Sequence, residues 1–402
     1  MSLLGIPIAL FGASCSNDDS RTLTVPVGSV VRASADFPVG LRLILGSSPA
    51  PTNDQFEVFV CAVPLDTTDA IYGRLPLRLD LVPDDVAAKL DTTVTPYFEA
   101  LSHGLYHPHF VAGLTLTMAP GETHDQCLQR AIDASGATTA AVLVVANAEH
   151  LATEPGGWGL AGSACTTEFC PARQTRRALY VGASDFHPDW GAVPAVDLIE
   201  HEIGHTLGLP HSGDFGSTDQ HASGIDLMSN SASPRDAEPA RRNGPDTLAV
   251  NRLALGWLTA DDLAVAAPGG GAFSLWPSTG AQGLRLLVLP IADGSFLSVE
   301  YLTADGFNDF LPAAGLAVHH IDQSPAACAA ELGTDAATEV TTGDATAGPC
   351  TGATRVQATL GSTAPHLQLL STPGSSWTIE GWRITVGATG RSAQVEVRPA
   401  SG

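Results

Sequence analysis

Three histidines and a glutamate lie within eleven residues of this chain, at a spacing suited to binding a metal ion. The segment, residues 201–211, reads His-Glu-Ile-Gly-His-Thr-Leu-Gly-Leu-Pro-His. Because His201 and His205 are four residues apart, a helix places both imidazoles on one face. Gly208 suits a left-handed helix end, and the turn that follows can bring His211 back towards the other two. Three neutral imidazoles can hold one zinc ion and leave its fourth coordination position open.

Glu202 would supply the base that such a zinc ion needs. Zinc lowers the pKa of a bound water molecule to about 7. Glu202 then accepts the proton, the resulting hydroxide attacks a carbonyl group polarised by the metal, and the proton passes to the leaving amine. The residues therefore predict one catalytic zinc ion and the hydrolysis of amide bonds. The alternative interpretation is that these are ordinary polar residues on a helix, in which case their spacing would be a coincidence.

An apolar stripe lies on the same helix, roughly opposite the two histidines. Its residues recur at helical spacing and are Val196, Ile199, Ile203 and Leu207. This pattern predicts a helix that packs beneath a sheet while His201 and His205 face a cleft.

The eleven-residue segment resembles the long zinc signature of the metzincin metallopeptidases and matches it at each fixed position. The resemblance implies a structural methionine in a tight turn beneath the metal. Met228 meets this expectation within Ile225-Asp226-Leu227-Met228-Ser229, and an ordinary core methionine is the alternative. Some metzincins carry a tyrosine ligand two residues after the methionine. Asn230 occupies that position here, so the resemblance implies a site of three histidines.

Other polar residues are weaker candidates for the metal centre. Each ligating imidazole is expected to donate its second N–H to a carbonyl or a carboxylate. Asp214 and Asp226 could accept such bonds, although turn positions are the favoured interpretation. Asp305, Asn308 and Asp309 could hold a structural Ca²⁺ ion, but they lack calcium-loop spacing and a solvated loop is favoured.

The 402-residue chain is acidic, with 19 Lys and Arg against 42 Asp and Glu and a formal charge of −23. This charge disfavours nucleic acid or an anionic membrane surface as a partner. No segment is long and apolar enough to span a membrane. Residues 3–11 are apolar and precede Gly-Ala-Ser-Cys and a polar run. We therefore expect a signal or lipoprotein signal segment at 1–20, and a secreted or cell-envelope protein, lipid-anchored if Cys15 is modified.

Six cysteines remain when Cys15 is set aside. An even number fits disulfides in an oxidising compartment. Proximity in the sequence suggests two pairs and leaves a third; the pairs are Cys165–Cys170, Cys328–Cys350 and Cys61–Cys127. Other pairings are possible, and buried free thiols are the alternative.

The chain divides into four predicted segments. The signal segment at 1–20 and a short N-terminal extension at 21–53, with one or two strands, precede a metzincin-like zinc peptidase domain at 54–261 and a β-rich domain at 262–402. Strands and helices alternate in the zinc domain. The strands are predicted at 56–63, 111–118, 140–146 and 178–182, and the last of them is expected at a sheet edge. The helices are predicted at 83–103 and 125–134, and a loop is predicted at 156–159. This order predicts an α+β fold, with a twisted mixed sheet, long helices and zinc in a cleft.

Short strands separated by turn residues dominate the C-terminal segment. The predicted strands 285–291 and 295–301 flank Asp293-Gly294, which is a strong hairpin signal. Two further strands are predicted at 382–386 and 393–397. Several such strands at close spacing predict a β-sandwich-like domain after the zinc domain.

Three further blocks of sequence make the family resemblance more specific. Residues 253–258, 297–301 and 315–322 look like blocks that follow the zinc domain in bacterial immune inhibitor A-like secreted peptidases, and gametolysin-like enzymes share part of the pattern. The resemblance implies a secreted zinc-dependent endopeptidase that hydrolyses a protein or peptide substrate by Glu-assisted attack of zinc-bound water. One alternative is a non-catalytic binding or adhesion protein on a zinc-peptidase scaffold, which the intact Glu202 disfavours. The other is a zinc amidohydrolase that acts on a non-protein amide.

Overall fold

The computed structural model describes residues 30–31, 37–46, 50–64, 77–136, 139–149, 157–160, 177–214, 221–292, 295–322, 354–357 and 367–400. Within these ranges the protein has a mixed α/β fold with three sheets and few helices. The predicted α+β class is confirmed at this level. No helix in the described ranges is long and apolar enough to cross a membrane.

The elements are numbered along the described chain. The helices are α1 (Val39–Leu45), α2 (Pro83–Leu101), α3 (His124–Ala134), α4 (Asp197–Thr206), α5 (Pro234–Ala237) and α6 (Ala249–Ala254). Short 3-10 helices span Ala183–Phe186, Pro188–Trp190, Ala260–Asp262 and Gly306–Asn308. The strands are β1 (Val30–Val31), β2 (Asn53–Ala62), β3 (His107–Thr117), β4 (Ala141–Ala146), β5 (Gly157–Leu160), β6 (Arg177–Val181), β7 (Ser212–Asp214), β8 (Leu263–Ala266), β9 (Gly271–Leu275), β10 (Leu286–Ala292), β11 (Ser295–Leu302), β12 (Gly315–Asp322), β13 (Thr354–Gln357), β14 (Ser376–Ile379), β15 (Trp382–Val386) and β16 (Ala393–Pro399).

One sheet has the strand order β3-β2-β4-β6-β5. Its neighbouring strands are parallel, except that β5 runs antiparallel to β6. Alternate side chains of a strand face opposite sides of a sheet. Phe56 and Val58 of β2 accordingly pack in the apolar cluster that contains α2, whereas Phe59 and Cys61 pack in the cluster that contains α3. Helices therefore cover both faces of this sheet, which explains why every residue of β4 is buried.

A disulfide ties one of these helices to the sheet. Cys61 of β2 is bonded to Cys127 of α3, and both cysteines are fully buried. This bond confirms one of the three predicted pairs. The cysteines of the other two predicted pairs, and Cys15, lie outside the described residues.

Three details of the predicted elements are wrong. The predicted loop at 156–159 contains most of β5, because glycine lets this strand approach α4 closely: a Cβ at Gly159 would lie 3.0 Å from the Cβ of His205. Strand β6 is not an edge, since it lies between β4 and β5. The N-terminal extension contains the helix α1 as well as β1, because Leu41 and Ile44 are buried together in the main apolar core.

Two further sheets form the C-terminal part of the fold. Their strand orders are β1-β8-β10-β11-β12-β13-β7 and β14-β15-β16-β9. The predicted hairpin is confirmed, because β10 and β11 pair in antiparallel. Leu287 and Val299 of the larger sheet share one apolar cluster with Phe273 and Ile384 of the smaller sheet. The two sheets are therefore held together by a common core.

The larger sheet extends to the predicted metal-binding segment. Strand β7 directly follows His211 and pairs in parallel with β13. In addition, Leu286, Phe296 and Ile321 belong to the same apolar cluster as Ile199 of α4. The C-terminal strands and the histidine helix thus belong to one apolar core. This core spans the domain boundary predicted between residues 261 and 262, which stays a prediction.

Candidate metal centre

Helix α4 carries the first two histidines and ends at a left-handed glycine. Gly208 has a φ of +86°, a conformation that glycine adopts without strain. Its N–H donates to His205 O at 2.9 Å, and the Leu209 N–H donates to Gly204 O at 3.0 Å, as in a Schellman ending. The predicted apolar stripe faces the core, where its fully buried members are Val196, Ile199 and Ile203. The reversal after Gly208 places His211 beside His205.

The three predicted ligands come together. His205 Nε2 lies 3.0 Å from His201 Nε2 and 3.0 Å from His211 Nε2. In the part of the chain that the structure describes, this is the one group of three or more His, Cys, Asp or Glu side chains whose ligand atoms all lie within 4.8 Å of one another. Such separations are compatible with nitrogen atoms that each lie about 2.0–2.1 Å from a shared zinc ion. The triad could therefore hold a metal ion, and imidazole donors suit zinc, copper, iron or nickel.

Backbone carbonyls orient two of the three rings. His201 Nδ1 donates to Leu227 O at 2.7 Å, and His205 Nδ1 donates to Leu209 O at 2.8 Å. Because a carbonyl can only accept, Nδ1 carries the proton in both rings and Nε2 keeps its lone pair for a metal. The second N–H of these two histidines is therefore bonded to a carbonyl, which is one of the two predicted kinds of partner.

His201 and His205 are neutral at physiological pH. Burial, and then the charge of His211, lowers the pKa of His201 to about 3, although the Leu227 carbonyl opposes the shift. Burial, and then the charge of His201, lowers the pKa of His205 to about 3 as well. Neutral imidazole is the form that binds metals. These two ligands can therefore accept a cation without first losing a proton.

Glu202 is buried next to His201 on α4. Its Oε2 atom has no hydrogen-bond partner among the described residues. Burial, and then the charge of Asp185, raises the pKa of this carboxyl group to about 8. A divalent cation at the histidines would lower that pKa, because a nearby positive charge favours the carboxylate. A buried carboxyl group in this position, with a pKa that a cation can adjust, is suited to act as a general base.

Met228 lies directly against α4. The side chain is fully buried and fills the space that Gly204 leaves on the helix, where a Cβ would overlap Met228 Sδ and lie 3.1 Å from Cε. The preceding residue, Leu227, provides the carbonyl that orients His201. Met228 O accepts a hydrogen bond from the Ser212 N–H at 2.9 Å. The structure thus places the predicted methionine turn between the histidine helix and strand β7.

Asp226 is a fully buried anchor of the same turn. Its carboxylate accepts hydrogen bonds from Ser212 Oγ at 2.5 Å, Thr247 Oγ1 at 3.0 Å and the Leu248 N–H at 3.3 Å. Asn251 Nδ2 lies 3.3 Å from both carboxylate oxygens. Because these donors belong to β7 and to the start of α6, Asp226 joins the methionine turn to both elements. The Ser229 N–H also donates to Asp226 O at 3.0 Å, so the favoured interpretation as a turn residue is confirmed, although it does not account for these side-chain contacts.

Two buried acids of α4 hold the helix to residues 235–244. Glu200 accepts hydrogen bonds from Asn243 Nδ2 at 2.5 Å and the Gly244 N–H at 2.8 Å, and Asp197 pairs with Arg235. Burial raises the pKa of both carboxyl groups above the ordinary range. Sequence reasoning misses Glu200, although an acidic residue beside an apolar helical stripe is a signal that could have identified it.

A fourth histidine stands beside the triad. The centroid of the exposed His221 ring lies 4.6 Å from that of His211 and 5.9 Å from that of His201. Its charge adds to the effects that lower the pKa of His201 and His205. Sequence reasoning misses His221. The available signal was its place between the third histidine and Met228, in a segment rich in Gly, Ser and Asp.

The predicted calcium cluster makes structural contacts. Asn308 is buried and accepts a hydrogen bond from the Asp246 N–H at 3.2 Å. Asp309 pairs with Arg241 at 2.6 Å. Asp305 and Asp309 are exposed, in agreement with the favoured interpretation as a solvated loop, but that interpretation is wrong for Asn308, which is buried in a short 3-10 helix. The side chain of Asp214, the other candidate partner of a histidine, lies outside the described part of the chain.

The chain matches no protein-family model, and no curated protein matches it. The chemistry of the site is therefore inferred from its side chains. Two neutral imidazoles with fixed tautomers, a third beside them and a buried carboxyl group can together hold a divalent cation and move a proton next to it.

Proposed function

We propose that the protein is a secreted zinc-dependent endopeptidase of the metzincin type. The observation that carries this proposal is the convergence of three Nε2 atoms, two of them 3.0 Å from the third, beside the buried carboxyl group of Glu202. His201, His205 and His211 would hold the ion. When bound, zinc would polarise the substrate carbonyl and make a water molecule more acidic.

Glu202 moves the proton in this proposal. Its carboxylate accepts a proton from the attacking water and then delivers it to the nitrogen atom of the leaving amine. His201 and His205 keep their Nδ1 protons in hydrogen bonds to carbonyls, so they do not compete for the transferred proton. The same bonds hold both rings in place while the proton moves.

An edge strand next to the triad favours a peptide substrate. Within the described residues, β5 is the last strand of its sheet. It packs against α4 at Gly159, close to Glu202 and His205. An extended peptide can add to such an edge through main-chain hydrogen bonds. This arrangement supports a peptide substrate over the small non-protein amide of an amidohydrolase.

Export is supported by the cysteines and by the start of the chain. The buried Cys61–Cys127 bond is typical of proteins in oxidising compartments. The apolar residues 3–11, followed by Cys15, are typical of a signal or lipoprotein signal segment. We therefore place the peptidase outside the cell or in the cell envelope.

Hydrolysis of unfolded casein tests the proposal. We expect the purified protein to cleave casein, a chelator to abolish cleavage, and added zinc to restore it. Glu202→Gln is the matched variant, because it keeps the shape of the side chain and the zinc ligands. The variant should retain zinc and lose turnover by roughly 10²- to 10⁴-fold, the usual contribution of a general base.

Two results would contradict the proposal. One is intact casein after incubation with the zinc-loaded wild-type protein. The other is cleavage by Glu202→Gln at the wild-type rate. A protein that leaves casein intact but hydrolyses a simple N-acyl amino acid would be a zinc amidohydrolase instead.

A further inference from the structure

His221 is held near the triad by the residues that follow it. The Ser223 N–H donates to Ser229 Oγ at 3.0 Å, and the Asn230 N–H donates to Ser223 O at 3.0 Å. A third bond runs from Ser233 Oγ to Gly224 O at 2.5 Å. These bonds fasten the short stretch after His221 to the residues that follow Met228. The position of His221 is therefore tied to the methionine turn.

The His221 ring lies on the solvent side of the triad. It contacts His211 and His201, with ring centroids 4.6 and 5.9 Å apart, and it is exposed. It is not a member of the group of ligand atoms within 4.8 Å of one another. Helix α4 and Met228 occupy the buried side. A substrate that approaches from solvent would therefore meet the His221 ring next to the three ligands.

We propose that His221 is a further catalytic residue, whose imidazole N–H donates a hydrogen bond to the substrate oxygen that gains negative charge during hydrolysis. This inference rests on the proposed peptidase function. An imidazole ring has at least one N–H donor in either protonation state. A donor aimed at a developing negative charge stabilises the transition state more than the ground state. The ring needs no change of charge for this role, and it acts beside the metal without being a ligand.

Acetohydroxamate binding to the cobalt-substituted protein tests the inference. This anion occupies open metal positions through its oxygen atoms, and its binding changes the visible spectrum of cobalt. In His221→Ala we expect the zinc content and the resting cobalt spectrum of the wild-type protein. We expect the affinity for acetohydroxamate to fall roughly 10- to 100-fold, as when one hydrogen bond to a charged acceptor is lost.

Two further variants serve as controls. His221→Asn keeps a side-chain N–H donor and should recover part of the lost affinity. His109→Ala removes an exposed histidine on β3, at the edge of the sheet opposite β5, and should bind acetohydroxamate like the wild-type protein. Under the same inference, His221→Ala should lower kcat for casein cleavage more than it raises KM.

Unchanged acetohydroxamate affinity in His221→Ala would overturn the inference. Loss of zinc or a changed resting cobalt spectrum in this variant would also overturn it, because His221 would then be a ligand. Failure of the peptidase proposal has a different signature. It would be visible in the wild-type protein, as missing zinc or intact casein, whereas failure of the His221 inference would be visible only in the comparison of variant with wild type.

Discussion

Replacing Asp226 with alanine tests whether its buried carboxylate holds the methionine turn. In the wild-type protein the carboxylate accepts hydrogen bonds from Ser212 Oγ, Thr247 Oγ1 and the Leu248 N–H, at 2.5, 3.0 and 3.3 Å. Asn251 Nδ2, the fourth donor, also bonds to Thr247 Oγ1 at 2.8 Å and so keeps a partner. In Asp226→Ala, three buried donors therefore lose their acceptor.

The expected loss follows from these three donors. Each buried donor left without an acceptor costs about 1–3 kcal/mol. Because the hydroxyl groups of Ser212 and Thr247 can rotate, we take the low end and expect the free energy of unfolding to fall by about 3 kcal/mol. Leu227 adjoins Asp226 and orients His201. Zinc affinity should therefore also fall, by about 10- to 100-fold, as when other groups that orient a metal ligand are removed.

Urea unfolding of the metal-free protein measures the first effect, and competition with a chromophoric chelator measures the second. Ser212→Ala is the matched control, because it removes one donor and leaves the Asp226 carboxylate with its other partners. It should cost about 1 kcal/mol and leave zinc affinity near the wild-type value. A loss below about 1 kcal/mol in Asp226→Ala, or an unchanged zinc affinity, would show that the Asp226 carboxylate does not hold the methionine turn.

Three further predictions concern stability and are measured by urea unfolding. Gly204→Ala gains up to about 1 kcal/mol of helix propensity, but its Cβ would overlap Met228 Sδ. We expect a net loss of about 1–3 kcal/mol. In the double variant with Met228→Ala, the combined loss should be smaller than the sum of the two single losses; a stabilised Gly204→Ala protein would contradict this. Burial raises the pKa of Glu300 from 4.5 to about 7. The folded state then keeps a proton that the unfolded state releases, so Glu300 alone should lower stability by about 3 kcal/mol as pH rises from about 4.5 to about 7, and should add no further change above that. Glu200 and Asp197, whose pKa values are also raised, contribute to the same decrease. In Glu300→Gln the decrease should therefore be smaller than in the wild-type protein by about 3 kcal/mol, and identical pH profiles would argue against the assignment. Replacing Cys61 and Cys127 with serine removes a disulfide between residues 66 positions apart in sequence and should lower the free energy of unfolding by about 4 kcal/mol. A reductant should cause a comparable loss in the wild-type protein. Equal stability of the double variant and the wild-type protein would contradict this prediction.

The triad could be predicted from the sequence because its geometry is local. The four-residue spacing of His201 and His205 sets their common face on any helix. Gly208 then supplies the left-handed end that returns His211 to them. The helix itself begins at Asp197, and its apolar stripe was visible in the sequence. None of these features depends on a residue far away in the chain.

Long-range contacts explain what could not be predicted. Strand β7 pairs with β13, which lies more than a hundred residues later in the sequence. A strand of three residues is also too short to show an alternating pattern, so β7 could not be predicted. Gly157 and Gly159 suggest a loop by type, yet they form a strand because α4 packs too closely for side chains there. His221 is positioned near the triad by bonds between the residues that follow it and the methionine turn. Each of these features is decided by tertiary packing.

Metal analysis of the purified, folded protein tests whether His201, His205 and His211 hold a zinc ion. We expect one zinc ion per chain after incubation with zinc and removal of the excess. Glu202→Gln should keep that ion, and His211→Ala, which removes one of the three converging nitrogen atoms, should lose it. Folded wild-type protein without stoichiometric zinc, or His211→Ala with as much zinc as the wild-type protein, would show that the three histidines do not form a zinc site.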